Sequence, residues 1–160
     1  MYTAQGTNYL YCLIKFIMAR IKIELPTAFQ FSALIPVRIT DINYGGHAGN
    51  DTILSIIHEA RMQFLQQYGC TEMNFGGTGL IMSDVGIEFK NELFYGDKLR
   101  ASIAIAEITK VSFALYYKLE KEPTTAHSLV ATARTGMVCY NYAAGKITAF
   151  PEALKQLFSN

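Results

Sequence analysis

The sequence has little that would link it to nucleic acid or to an oxidising compartment. Its 160 residues carry 14 Lys and Arg against 13 Asp and Glu, so no excess of positive charge marks a nucleic-acid surface. The three cysteines are far apart and lack metal-ligand spacing, which argues against a disulfide framework and favours a reducing, cytoplasmic compartment. A chain of this length can bury a core without disulfides or bound metal.

Long hydrophobic runs are also missing. Residues 9–18 are apolar but are interrupted by Lys15, whereas a helix that spans a bilayer needs about 20 apolar residues. No basic residue precedes this segment and no small-residue cleavage site follows it, so we expect neither a membrane span nor a secretory signal. We assign residues 1–18 to an N-terminal extension, mobile or covered by a partner, and residues 19–160 to a single domain.

One long helical pattern stands early in the chain, over residues 50–68. Ile53, Ile57 and Phe64 recur at helical spacing and form part of a broad apolar stripe. Gly69 follows the pattern, as is typical just past a helix C-terminus. The width of the stripe predicts a helix that is embedded against a sheet.

The periodicity changes to two after this helix, which predicts four or five strands. The clearest strand patterns lie at residues 80–90, 99–105, 111–120 and 129–142, with extended segments before the helix at 20–24 and 29–40 and a short closing helix at 151–158. The connections are too short for crossover helices, so neighbouring strands are predicted to be antiparallel. The fold class is α+β. Because one helix leaves a sheet edge uncovered, we expect the chain to pair with further copies of itself.

The polar residues just before the long helix are the strongest functional signal. Residues 37–61 read VRITDINYGGHAGNDTILSIIHEAR, and they place Asp41, Asn43 and His47 ahead of the helix start. Helix N-termini carry unpaired N–H groups and positive dipole, so they can stabilise an oxyanion. Carboxylate and imidazole groups beside such a terminus can act as acid or base.

Several of these residues also have a structural explanation. Asn50 is a good helix N-cap residue, and we assign Asp51 a structural role because an acid in the first helical turn interacts favourably with the helix dipole. Gly45 and Gly46 allow a tight turn, and they equally let a ligand approach backbone N–H groups. No His, Cys, Asp and Glu set in the sequence has metal-ligand spacing, so no metal site is predicted.

This segment resembles the hotdog-fold acyl-CoA thioesterases, a group that includes 4-hydroxybenzoyl-CoA thioesterase and the YbgC-like enzymes. Those families commonly carry V-R at a strand end, then D-x-D, two residues, G-H, a polar stretch with Asn, a helix ending in E-A-R, and later G-D before a strand. The matching residues are Val37, Arg38, Asp41, Asn43, Gly46, His47, Asn50, Glu59, Ala60, Arg61, Gly96 and Asp97. The resemblance covers residues 29–142 and implies a hotdog fold, an antiparallel sheet wrapped around one long central helix.

The resemblance implies that the chain hydrolyses an acyl-CoA to the free acid and CoA, with coenzyme A present only as part of the substrate and no separate cofactor. One position departs from the pattern, because the best-known members have their catalytic acid where this chain has Asn43. An amide neither attacks a thioester nor takes up a proton near neutral pH. The plant acyl-carrier-protein thioesterases are similar in having D-x-N followed by a His. In that arrangement Asp41 supplies the carboxylate, Asn43 holds substrate or water, and His47 assists.

We therefore expect a cytoplasmic thioesterase in which water is activated by Asp41 or Glu59, and in which N–H groups near Gly46 and His47 polarise the thioester carbonyl. The predicted catalytic residues are Asp41, Asn43, His47 and Glu59. The predicted substrate-binding residues are Tyr44, Gly45, Gly46, Asn50 and His58.

The expected partners are an acyl-CoA and further copies of the chain, in a homodimer or homotetramer, without nucleic acid. Three alternatives stay open at this point. The chain could be a thioester-binding protein that lost turnover with Asn43, a thioesterase acting on acyl carrier protein, or a hotdog dehydratase or hydratase.

Overall fold

The structure is a computed structural model and describes residues 20–125 and 127–158. The predicted N-terminal extension lies outside these residues. The elements follow one another as β1 (Phe31–Pro36), a 3-10 turn (Ile39–Asp41), α1 (Asn50–Gln67), β2 (Gly79–Phe89), β3 (Lys98–Ala106), β4 (Ser112–Glu122), β5 (Leu129–Asn141), β6 (Lys146–Ile147) and α2 (Glu152–Phe158).

The long helix, the four strands predicted after it and the closing helix are confirmed, with ends that move by one or two residues, and the short strand β6 was not predicted. The helix α1 ends at Gln67, and Gly69 behind it has φ 66°, a left-handed conformation that suits glycine and terminates helices. The extended segment predicted over residues 29–40 is shorter, as β1. Residues 20–24 form no strand; instead Ile23 N donates to Glu88 Oε1 on β2 over 2.5 Å.

The strands form one antiparallel sheet in the order β1-β3-β4-β5-β2, with β6 paired to β5. The helix α1 packs on one face of this sheet, where Ile57, Ala60 and Phe64 are completely buried in the common core. An apolar stripe of this width excludes water along the whole length of the helix. The arrangement is the predicted α+β hotdog fold, with the sheet wrapped around the central helix.

One charged residue is buried within the apolar stripe of α1. Arg61 is only 5% exposed, and a guanidinium at such a depth needs a charged partner. Its Nε donates to Glu72 Oε1 over 2.6 Å, and the hydroxyl of Tyr117 on β4 lies beside it. Leu80 N donates in turn to the carbonyl oxygen of Glu72 over 2.7 Å. The ion pair between the buried Arg61 and the partly exposed Glu72 therefore joins α1 to the segment that leads into β2.

Within residues 20–125 and 127–158, the strand β2 forms an edge of the sheet with no strand paired to its outer side. Its 11 residues pair with β5 on one side only. Ile81, Met82, Val85 and Phe89 on this strand are between 37% and 50% exposed, so apolar surface accompanies the free edge. Within the described residues, no helix combines the length and the apolar character that a bilayer crossing requires.

Candidate active site

The polar loop ahead of α1 is a small hairpin. Ile42 and Ala48 form an antiparallel bridge at its base. Asn43 N donates to His47 O over 2.9 Å, and Gly46 N donates to Asn43 O over 3.0 Å. Gly46 has φ 84°, a conformation that glycine adopts without the penalty of a side chain. The hairpin therefore holds Asn43 and His47 opposite each other.

Two contacts fix the hairpin to the rest of the fold. Ala48 N donates to Leu93 O over 2.8 Å, in the segment that leads to β3. Thr52 Oγ1, in the first turn of α1, donates to the carbonyl oxygen of Asp41 over 3.0 Å. The side chains of the hairpin are thus positioned relative to both the helix and the sheet.

The carboxylate of Asp41 is occupied by Arg38. The backbone N of Arg38 donates to Oδ2 over 2.7 Å, its Nε to the same oxygen over 3.3 Å, and its Nη2 to Oδ1 over 3.1 Å. The side-chain hydrogen bonds from Arg38 hold the pKa of Asp41 below its ordinary value, against the opposing effect of burial. A carboxylate in this state is a weak base, so these contacts suit Asp41 to fixing the turn.

Asn43 and His47 present free polar atoms at one place. His47 Nδ1 donates to Ala48 O over 3.1 Å, so in the neutral form of the ring Nε2 carries the lone pair. Asn43 Oδ1 accepts the N–H of Gly45 over 2.8 Å, which leaves Nδ2 as a donor. A Cβ atom on Gly45 would lie 3.0 Å from Asn43 Oδ1 and 3.3 Å from His47 Nε2. The two side chains therefore meet over this glycine.

The N-terminus of α1 lies against the hairpin and has no side-chain cap. Asn50, the predicted N-cap, is instead the first helical residue, and Gly49 is the N-cap. A Cβ atom at position 49 would clash with Asp51 Oδ1, so a side chain there would displace this carboxylate. The first helical hydrogen bond runs from Ile53 N to Gly49 O. The N–H groups of residues 50–52 precede that bond and stay available for a ligand.

The predicted site residues divide between two cavities. His47 and Asn50 line a cavity of about 190 Å³ whose apolar wall includes Phe89. Asp41, His58 and Glu59 line a different cavity of about 320 Å³ between α1 and β1. These two groups of predicted residues therefore do not converge on a single point within this chain.

The other predicted residues make contacts away from the hairpin or are exposed to solvent. In the second cavity, Glu59 Oε1 accepts a hydrogen bond from Gln63 Nε2 over 2.7 Å, and His58 Nε2 lies 3.3 Å from Glu72 Oε2. Tyr44 is fully exposed on the hairpin. Over residues 20–125 and 127–158, no group of three His, Cys, Asp or Glu side chains could hold a metal ion.

A further carboxylate, that of Asp51 at the start of α1, faces the hairpin. A Cβ atom on Gly49 would collide with Asp51 Oδ1 and would lie 3.7 Å from Asn43 Nδ2, so the acid and the amide face the same glycine. Among the described residues, none forms a hydrogen bond or an ion pair with this carboxylate. The sequence signal for this arrangement is the glycine two positions before an acid in the first helical turn.

Comparisons with known proteins agree with the geometry. Residues 37–158 match the thioesterase-like superfamily. A 1,4-dihydroxy-2-naphthoyl-CoA hydrolase of Microcystis aeruginosa (strain NIES-843 / IAM M-2473) is 32% identical over 106 residues, which are 64% of this chain and 74% of the relative.

Two solved structures of named thioesterases share the fold. Slr0204, a 1,4-dihydroxy-2-naphthoyl-CoA thioesterase from Synechocystis, superposes with a TM-score of 0.72 at 21% identity and covers 81% of this chain and 96% of its own. BH1999, a gentisyl-coenzyme A thioesterase, superposes with a TM-score of 0.68 at 18% identity and covers 80% of this chain and 99% of its own.

Proposed function

The chain belongs to the thioesterase-like superfamily and is an acyl-CoA thioesterase, and we propose that its reaction takes place where the hairpin of residues 42–48 meets the start of α1. The observation that carries this proposal is the convergence of Asn43 and His47 with an uncapped helix N-terminus beside a partly apolar cavity. Hydrolysis of a thioester needs donors for an oxyanion and a place for water next to the carbonyl carbon. This end of the hairpin offers both.

The proposed oxyanion site consists of the first N–H groups of α1. Asn50 N and Asp51 N precede the first helical hydrogen bond, and the helix dipole favours negative charge at this position. Gly46 N, which the sequence analysis named for this role, donates to Asn43 O and has no hydrogen left for a substrate. The donors at the helix start therefore take its place in the proposal.

The proposed site for water lies between Asn43 and His47. Nε2 of the neutral His47 ring can accept a hydrogen bond from water, and Asn43 Nδ2 can donate one to water or to the substrate. Water is the second substrate, and coenzyme A enters as part of the thioester. The reaction as proposed uses no other cofactor.

The proposed substrate is an acyl-CoA with a compact, aromatic acyl group. The cavity next to His47 has apolar walls formed by Ile53, Phe89, Leu93 and Val130, which suit a hydrophobic acyl group. The relative from Microcystis aeruginosa is named for a dihydroxynaphthoyl-CoA, and this likeness supports an aromatic acyl group over a long aliphatic chain.

The proposal also includes a homodimer formed through β2, located in the cytoplasm. The free edge of β2 and its exposed apolar side chains are suited to continue the sheet into a second copy. Cys70 and Cys139 are both buried, unpaired thiols, as is common in reducing compartments. A homotetramer would require a further contact between two such dimers.

A thiol-release assay tests the proposed function. The panel contains aromatic acyl-CoAs, aliphatic acyl-CoAs of increasing chain length, and one acyl carrier protein thioester. We expect the highest kcat/KM with an aromatic acyl-CoA, and a loss of about 100-fold in kcat in His47→Ala. His127→Ala, which removes an exposed histidine between β4 and β5, serves as the matched control. Binding of acyl-CoA without turnover of any thioester would instead indicate a non-catalytic binding protein.

A further inference from the structure

We propose that Asp51 is the catalytic carboxylate of this protein and acts as general base in place of the acid that related thioesterases carry at the position of Asn43. This inference rests on the proposed function, because it assigns the proton acceptor of the same reaction. The sequence alone favoured a purely structural role for Asp51. The geometry of the helix start points to the catalytic one.

The hydrogen bonds of the three carboxylates near the hairpin distinguish them. Asp41 accepts hydrogen bonds from Arg38 on both of its oxygens. Glu59 accepts one from Gln63 and lines the cavity between α1 and β1. The Asp51 carboxylate has no hydrogen-bond or ion-pair partner among the described residues. A general base must offer a free oxygen to water at the reacting carbon. Among the described residues, Glu92 also lines the cavity of His47 and Asn50, but the Asp51 carboxylate faces the same glycine as the Asn43 amide, and this placement favours Asp51.

The glycine at position 49 explains how the Asp51 carboxylate reaches the hairpin. Gly49 has φ −72° and ψ 164°, which any residue can adopt, so the backbone conformation does not require glycine. A Cβ atom would, however, clash with Asp51 Oδ1, so a side chain at this position would displace the carboxylate. The same Cβ atom would lie 3.7 Å from Asn43 Nδ2. The absence of a side chain therefore lets the carboxylate fold back toward the Asn43 amide.

The proposed step balances in atoms and electrons. Asp51 takes a proton from water while the water oxygen forms a bond to the thioester carbonyl carbon, and the carbonyl electrons move to the oxygen that faces the helix N–H groups. When this oxyanion collapses, the carbon–sulfur bond breaks and the electron pair leaves with sulfur. The proton then passes from Asp51 to the thiolate, giving the free acid and CoA. Asn43 Nδ2 donates a hydrogen bond that orients the water or the carboxylate.

Steady-state kinetics of Asp51→Asn on the best acyl-CoA substrate test this assignment. We expect kcat to fall by about 100-fold or more, within the usual contribution of a general base, while KM changes less than about threefold because the substituted side chain has the same shape. Glu152→Gln is the matched control, since it removes an acid from the first turn of α2, and it should keep the wild-type kcat.

Two further variants separate chemistry from folding. Gly49→Ala keeps the carboxylate but displaces it, and we expect a loss of kcat with an unchanged far-UV circular dichroism spectrum. The double variant Asn43→Asp/Asp51→Asn returns the acid to the position used by related enzymes. Its kcat should be at least about tenfold higher than that of Asp51→Asn alone.

The outcomes distinguish this inference from the proposed function. If the wild-type protein hydrolyses thioesters and Asp51→Asn has the same kcat, the assignment of Asp51 is wrong and the thioesterase function stands. If only His47 variants lose activity, the base is His47 and the assignment is again overturned. A wild-type protein that hydrolyses no thioester overturns both proposals.

Discussion

Arg38 Nη2 lies 3.1 Å from Asp41 Oδ1 while Arg38 Nε lies 3.3 Å from Asp41 Oδ2, so one guanidinium spans both oxygens of this carboxylate. The backbone N of Arg38 adds a third hydrogen bond. The resemblance to thioesterases with a D-x-N motif made Asp41 a candidate for the base, since Asn43 cannot take up a proton near neutral pH. In this chain it instead closes the turn from which the hairpin with Asn43 and His47 begins.

The ionised form of Asp41 should stabilise the folded protein in a pH-dependent way. Because Arg38 holds the pKa of Asp41 below its ordinary value, the folded state favours the charged carboxylate. This contribution is complete above the unfolded-state pKa of about 4 and is lost as pH falls through the lower folded-state value. We expect Asp41→Asn to destabilise the protein at pH 7 and to lose less further stability than the wild type on acidification. Urea unfolding midpoints over a pH series, with Asp51→Asn as control, measure this; parallel curves would contradict the prediction.

Substitution of Glu59 should have little effect on the chemical step. Glu59 lies in the cavity between α1 and β1, where Gln63 donates to its carboxylate, and it does not line the cavity of His47 and Asn50. We expect Glu59→Gln to lower kcat by less than about threefold, against the 100-fold or more expected of a general base. The rate of thiol release at saturating acyl-CoA measures this. A loss as large as that of Asp51→Asn would assign the role of base to Glu59.

Removal of the acid from the buried ion pair should destabilise the fold strongly. Arg61 is almost completely buried and donates to Glu72 over 2.6 Å. Truncation of Glu72 leaves a buried guanidinium without its carboxylate, which costs roughly 3 kcal/mol. We expect Glu72→Ala to lower the free energy of unfolding by about this amount. Asp84→Asn, at the exposed Arg134–Asp84 pair, should cost less than about 1 kcal/mol. Equal effects of the two substitutions in urea unfolding would show that burial of the pair is unimportant.

A charge on the free edge of β2 should block the proposed dimer. Val85 on this strand is 39% exposed, and a lysine on a sheet edge opposes pairing with a second strand. We expect Val85→Lys to halve the mass measured by light scattering at micromolar concentration. Val111→Lys replaces a valine of similar exposure away from this edge and should leave the mass unchanged. A dimer that survives Val85→Lys would have to form through another surface.

The helix and the strands could be predicted from the sequence because their signals are local. The spacing of Ile53, Ile57 and Phe64 fixes a buried helical face whatever lies opposite, and strict alternation fixes the strands in the same way. Arg61 within the apolar stripe already required an acidic partner. The sequence could not identify Glu72 as that partner, because the segment between α1 and β2 could have run in several directions.

The sequence by itself determined the α+β class, the antiparallel sheet around one helix and the segment that holds the polar cluster. Only the tertiary structure decided what each polar side chain does there. It paired Asp41 with Arg38, placed Glu59 in another cavity and moved the N-cap to Gly49. Within the described residues it left the Asp51 carboxylate without a partner, at the glycine that the Asn43 amide also faces. The physical reason is that secondary structure follows from the periodicity of neighbouring residues. The state of a carboxylate depends on which donors the fold brings within hydrogen-bond distance, and here the hairpin and the helix start together decide that.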